Sequence, residues 1–245
     1  TGVNIPTVSN NISNVAKTDS SLTEDTNLSA SGKMDVEAVA TAALPAMVQL
    51  NGTTTVKNSS YFGYGQSYEA TSSGTGIIVG KSDTELLIVT NAHVVDNIDN
   101  LKCVFSDGTS ASCSVKGSKS DQDIAVAAVS LSDISSDTAS NIAIAELEDS
   151  SDIKVGQQVV AIGNALGEGQ SVTTGIISAK DRSITVNNVT FTGLLMTDAA
   201  INSGNSGGAL LNSEGKVIAI NFAKTSSDGV EGMAYSIPVS NVKDI

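Results

Sequence analysis

The sequence predicts an all-β fold, a barrel or a sandwich, and three observations carry that prediction. Short runs rich in Val, Ile and Thr recur at roughly 8–15 residue intervals from Ala46 onward. Clusters of Gly, Asn, Asp and Ser separate them, the residues that turns between strands require. No long segment of helical period lies between the runs, which disfavours an alternating α/β architecture.

The elements follow in order. Residues 1–33 are rich in Ser, Thr and Asn without a clear period and read as an extended tail or arm. "MDVEAVATAAL", residues 34–44, has apolar residues at helical spacing and acidic residues early, so a short helix is expected to end before Pro45. The strand candidates then include "AMVQL", "GTGIIV", "ELLIVT", "LKCVF", "DIAVAAV", "QQVVAIG", "SVTTGIISA", "SITVNNVT", "LLMTDA", "GGALL", "KVIAINF" and "GMAYSIP". The polar loop "ELEDSSDIKVG" divides them into two halves of about six strands each, 34–146 and 147–245. Residues 51–73 read as a long polar loop carrying Tyr61, Phe62, Tyr64 and Tyr68. Those rings either fold the loop onto itself or form a contact surface for a partner subunit or substrate.

Composition narrows the function. The 245 residues are 40% apolar, enough for one or two packed domains. Thirteen basic residues against 26 acidic ones give a net charge of -13, which opposes binding to nucleic acid or anionic membrane. The chain opens on Thr1 rather than Met, so an upstream signal peptide or membrane anchor outside it is expected. Its single histidine, His93, rules out zinc sites built from several histidines and leaves one imidazole as a base. No metal or other cofactor is called for.

Three sites carry chemistry. "IVTNAHVV" places His93 just beyond a strand, "DQDIAVAAV" places Asp123 at the entry to an apolar strand, and "GNSGG" frames Ser206 with glycines. A serine hydroxyl is a weak nucleophile that needs a base to take its proton, and imidazole is suited to that task near neutrality. A buried carboxylate then fixes the imidazole tautomer. Asp123 is the choice for that carboxylate, because an unpaired charge at a strand entry is costly; Asp121, Asp96 and Asp99 lie in more polar surroundings. The oxyanion of an acyl-transfer intermediate needs preorganised donors, and the turn Gly204–Asn205–Ser206 supplies them, chiefly the N–H groups of Gly204 and Ser206. Gly204 tolerates an unusual φ, while Gly207 and Gly208 let neighbouring chain approach. "GNSGG" also fits the elbow of α/β-hydrolases, but that fold places its histidine after the serine, and none follows here.

These motifs, with "SSGTGIIV", "VGQQVVAIGNALG", "TTGIISAKDRSI", "TDAAINSGNSGGALLNSEGKVIAIN" and "YSIPVS", resemble the HtrA (Deg) family of trypsin-like serine proteases over about residues 36–242. The resemblance implies two six-stranded antiparallel β-barrels of the chymotrypsin type with the active site in the cleft between them. It implies an extracytoplasmic endopeptidase for misfolded proteins, and a homotrimer formed through the protease domain and N-terminal segment. A latent protease-fold chaperone or scaffold and a different acyl hydrolase are the competing functions. Ala200, Ile201, Ile220, Asn221, Phe222 and Ala223 are expected to line the substrate site. With Ala200 where trypsin carries its carboxylate, a small or medium apolar side chain should fit. Cys103 and Cys113 flank "VFSDGTSAS" and lie opposite each other if the turn occupies Asp107–Thr109, which permits a disulfide; the alternative is two buried thiols.

Overall fold

A computed structural model describes residues 5–8, 34–57, 67–164, 169–223 and 233–241. Two closed antiparallel barrels of six strands organise it. The first contains β1 (Met47–Lys57), β2 (Ser67–Lys81), β3 (Glu85–Thr90), β4 (Asn100–Val104), β5 (Ser110–Lys119) and β6 (Ile124–Ser130). The second contains β7 (Gln158–Gly163), β8 (Ser171–Val186), β9 (Val189–Thr197), β10 (Ala209–Leu211), β11 (Val217–Phe222) and β12 (Ala234–Pro238). Spatial order is β1-β2-β3-β6-β5-β4 in one and β7-β8-β9-β12-β11-β10 in the other, the same path traced twice. Closure pairs every strand on both sides among the described residues, so neither barrel has an edge strand.

Helix α1 (Val36–Ala43) precedes the first barrel. The Asp35 carboxylate caps it by accepting from the Ala38 N–H, and Pro45 follows in a short 3₁₀ turn. The helix packs Val39, Ala42 and Ala43 into a core shared by the two barrels, with Met47, Ile77, Val89 and Ile124 from the first and Val160, Leu194, Ile220 and Phe222 from the second. Each barrel also fills its own interior, around Leu50, Ile88 and Val129 in the first and Val159, Ile177 and Leu210 in the second. Residues 5–8, within the segment read as an arm, are anchored: Val8 enters the shared core, and its N–H donates to Ile144 O at 2.9 Å.

Three expectations need correction. Residues 51–73 are not one long loop, because β1 and β2 pair from Met47↔Ile77 out to Lys57↔Ser67. The β-branched run Thr53–Thr55 favours strand despite its polarity. Tyr61, Phe62 and Tyr64 lie outside the described residues, and Tyr68 is exposed on β2. "SITVNNVT" is not a strand of its own but a hairpin tip: Asn187 and Asn188 turn with φ 51° and 64° between β8 and β9, as a two-residue loop requires. The polar β5 is absent from the strand candidates: its alternation is confined to the small or short apolar residues Ala111, Cys113 and Val115, and the strand runs polar from Lys116 to Lys119.

The third correction concerns the cysteines. Both are free thiols. The β4–β5 hairpin turns at Ser106–Gly108, one position earlier than Asp107–Thr109, with Phe105 N–H bonded to Thr109 O and Gly108 at φ 82°. Cys103 therefore faces Ala111, and Cys113 faces Leu101. Such a diagonal pair has Cα atoms about 7–8 Å apart, past the roughly 7 Å reach of a disulfide. Burial pushes both thiols up, and Cys113 reaches about 11.

Candidate active site

The end of β3 and the start of β6 are neighbours in the first barrel, Thr90 pairing with Ala125. Just beyond them the chain turns into a one-turn helix, α2 (Ala92–Val95), which carries His93. Asp123 sits opposite, 2% exposed, with φ 54°. Its carboxylate grips His93 twice: Oδ1 accepts the backbone N–H at 2.9 Å, and Oδ2 accepts Nδ1–H at 2.6 Å. A carboxylate only accepts, so the Nδ1 proton faces Asp123 and Nε2 is left as the basic nitrogen. The Asp123 carbonyl accepts from both Asn91 Nδ2 at 3.0 Å and Ala92 N at 3.1 Å. Those two donors hold the left-handed backbone that aims the carboxylate. Asp96, Asp99 and Asp121 are exposed, and Asp99 instead accepts from Thr55 N–H at 2.8 Å.

Ser206 comes from the second barrel, in the turn before β10. The turn is seated on the first barrel: Thr75 N–H of β2 donates to Ser206 O at 2.9 Å. Gly207 has φ 82°, and a Cβ there would stand 2.2 Å from Thr75 O, 2.3 Å from Thr90 Oγ1 and 3.1 Å from Asn91 N. Only a bare glycine permits that approach, which brings the Ser206 turn against the strand end that bears His93. Gly74 does the same between Val94 and Ser206 O. From the other side, the His93 ring meets Phe222 edge to face at 6.4 Å, and the next residue, Ala223, donates its N–H to Ser206 Oγ at 3.3 Å. His93, Asp123 and Ser206 are thus gathered at one inter-barrel seam. No His93–Ser206 hydrogen bond is formed among the described residues.

The turn's peptide groups are almost fully spent. Asn205 N–H donates to Asn202 O at 3.0 Å, Gly207 N–H to Asn221 O at 3.0 Å and Gly208 N–H to Asn205 O at 2.9 Å. The N–H groups of Gly204 and Ser206 have no partner among the described residues. Gly204 adopts φ 95°. Asn205, expected beside these donors, turns its N–H inward; its side-chain Oδ1 accepts from the Ser171 hydroxyl at 3.2 Å.

The expected lining residues divide. Ala200 is exposed, Ala223 is half-buried and Ile201 packs in the interior of the second barrel. Ile220 and Phe222 belong to the shared core, Phe222 against the Phe191 ring at 5.0 Å. Asn221 is fully buried, its Nδ2 donating to Ala209 O at 3.0 Å and Ile162 O at 3.2 Å, so its amide ties strands together. Sequence reasoning missed Thr75, Thr90 and Asn91, all buried at this seam. Thr90 and Asn91 close an otherwise apolar strand, whereas Thr75 follows the polar run Ser72–Gly74 and is not set apart by its neighbours.

Comparison with known proteins agrees with this arrangement. Residues 74–220, more than half of the chain, match the trypsin-like peptidase domain. The chain is 39% identical over 210 residues to the serine protease Do-like HtrA of Bacillus subtilis, covering 82% of this chain and 45% of that protein. Identity to the periplasmic serine endoprotease DegP of Salmonella typhimurium is also 39%, over 74% of this chain and 36% of that one. The chain therefore spans less than half the length of these curated relatives. Among solved structures, a serine-to-alanine form of the HtrA-type protease AlgW with a decapeptide superposes with TM-score 0.71 at 32% identity, over 84% of this chain and 64% of that one.

Proposed function

Because this chain belongs to the HtrA family of trypsin-like serine peptidases, we propose that it is a serine endopeptidase working through His93, Asp123 and Ser206. The single observation that carries the proposal is the double grip of the buried Asp123 carboxylate on His93, beside the serine turn. In the first step His93 Nε2 takes the Ser206 proton as Oγ attacks the scissile carbonyl, and Asp123 stabilises the imidazolium. The N–H groups of Gly204 and Ser206 receive the oxyanion. His93 then protonates the leaving amine, and water releases the acyl group by the same steps.

The substrate is an extended, unfolded polypeptide with a small or medium apolar residue before the cut. Ala200 and Ala223, exposed and half-buried, supply apolar surface and no charge. The backbone around Ala223 pairs with the substrate as an added strand. Location outside the cytoplasm is the fitting compartment, supported by relatives named periplasmic. A trimer formed through residues 1–44 is the proposed assembly. One observation favours a second reading, a latent form of the same protein that holds clients without cutting them. The Ser206 hydroxyl accepts from Ala223 N–H at 3.3 Å, an interaction that a bound substrate strand has to displace.

Incubation with casein and with a fluorophosphonate probe, wild type beside Ser206→Ala, separates these. The proposal expects cleavage and labelling that both vanish in the mutant. Labelling without cleavage favours the latent form or another acyl hydrolase, and neither activity overturns the proposal.

A further inference from the structure

Thr75 lies in β2 of the first barrel, 1% exposed, and its N–H, carbonyl and hydroxyl make four hydrogen bonds to segments that meet at the serine. Its N–H donates to Ser206 O at 2.9 Å, and its carbonyl accepts Thr90 Oγ1–H at 2.7 Å. Its hydroxyl accepts Asn164 N–H at 2.8 Å and lies 2.7 Å from Gly204 O. The direction of the last bond is fixed by chemistry. Asn164 N–H can only donate and Gly204 O can only accept, so the one hydroxyl proton must point at Gly204.

We infer that Thr75 is a positioning residue for the reaction proposed above, its hydroxyl holding the Gly204–Asn205 peptide in the orientation that leaves the Gly204 and Ser206 N–H groups free. The inference rests on the proposed role of Ser206. That peptide is clamped at both ends, its carbonyl by Thr75 and its N–H by Asn202 O. The Ser206–Gly207 peptide is clamped likewise, by Thr75 N–H and Asn221 O. Gly204 has no side chain with which to resist rotation, so the restraint has to come from outside the turn. Thr75 supplies it from the opposite barrel, and one residue thereby registers the serine-bearing barrel on the histidine-bearing one. A buried hydroxyl with both partners satisfied is a rigid element; removing it strands a carbonyl and an N–H out of water.

The test compares Thr75→Val, which keeps the shape and removes the hydroxyl, with Thr75→Ser, which keeps the hydroxyl. Both are made in the full chain and assayed on a fluorogenic peptide with Val before the cut. Misplacing preorganised donors costs on the order of 10²-fold, so kcat of Thr75→Val should fall by about that factor with KM within about threefold. The pH profile should be unmoved, because His93 and Asp123 are not displaced. Thr75→Ser should stay within about threefold of wild type in both constants. Matched circular dichroism and melting confirm folding; if Thr75→Val does not fold, Thr75→Cys, a weak donor, replaces it under the same criteria. A folded Thr75→Val at wild-type kcat, a loss seen equally in Thr75→Ser, or a change confined to KM overturns the inference. Amide exchange at Asn205 tests the clamp without any catalysis: it should accelerate about tenfold or more in Thr75→Val only. A wild type that cleaves nothing, with the exchange result as expected, would sink the enzymatic proposal and leave the clamp standing. Unchanged exchange would sink the clamp alone.

Discussion

At the scale of single residues, the proposed chemistry turns on a carboxylate with 2% exposure that holds both the ring and the backbone of one histidine. Asp123→Asn preserves the size of the side chain but presents an amide that can hold the wrong imidazole tautomer. Its kcat should fall by about 10⁴-fold while the fold persists; steady-state kinetics on a peptide substrate checks this, and a loss under tenfold would contradict the assigned role. The cysteines give an independent residue-scale prediction. Cys113, pushed up to about 11 from an ordinary 9.0, stays protonated when an exposed thiol has begun to ionise. It should react slowly with a thiol reagent at pH 8 in the native protein, and unfolding should release two titratable thiols; finding none would restore the disulfide. The sign of the linkage follows. A raised folded pKa stabilises the fold below pH 9.0, and that contribution is lost as pH climbs through about 11. The residues of the proposed site stand out in the sequence because a sole histidine, a strand-entry aspartate and a glycine-framed serine are each locally conspicuous. Thr75, Thr90 and Asn91 do not, since their partners lie on segments distant in sequence and a strand threonine looks the same whether or not it reaches across a seam.

Among elements, the turn between β9 and β10 is the one that sequence chemistry dictates most tightly. Gly207 adopts φ 82° where a Cβ would strike Thr75 O at 2.2 Å. Gly207→Ala should therefore destabilise the protein by about 2–5 kcal/mol, strain and overpacking together, and should reduce cleavage. Gly117→Ala, at an ordinary φ with nothing within 4 Å of a new Cβ, should stay within about 1 kcal/mol. Chemical denaturation distinguishes the two, and equal effects would contradict the packing argument. Strands with β-branched runs, such as β3, β6 and β11, were legible from composition alone. Register was not. The β4–β5 turn falls one residue earlier than Asp107–Thr109, enough to separate the two thiols along the ladder. The β8–β9 tip was misdivided because "NN" was not taken as a hairpin turn.

For the whole molecule, the barrels share a core as well as a seam. Phe222 stands in that core between Phe191 and His93. Phe222→Ala should cost about 3–5 kcal/mol and weaken catalysis as well, with both barrels unfolding together in one transition; two separated transitions would mean the halves are independent. The halves themselves were legible from the acidic loop 146–156, while their packing was not, because Met47, Ile77 and Ile220 look like any other barrel-interior residues in sequence. The account depends most on one hydroxyl being the reacting atom. Fluorophosphonate labelling of the wild-type chain, followed by mass-spectrometric location of the adduct, tests that directly. The account predicts a single adduct on Ser206, formed only while His93 is intact and lost in His93→Ala. An adduct on another residue, or labelling of Ser206 undiminished in His93→Ala, would contradict it.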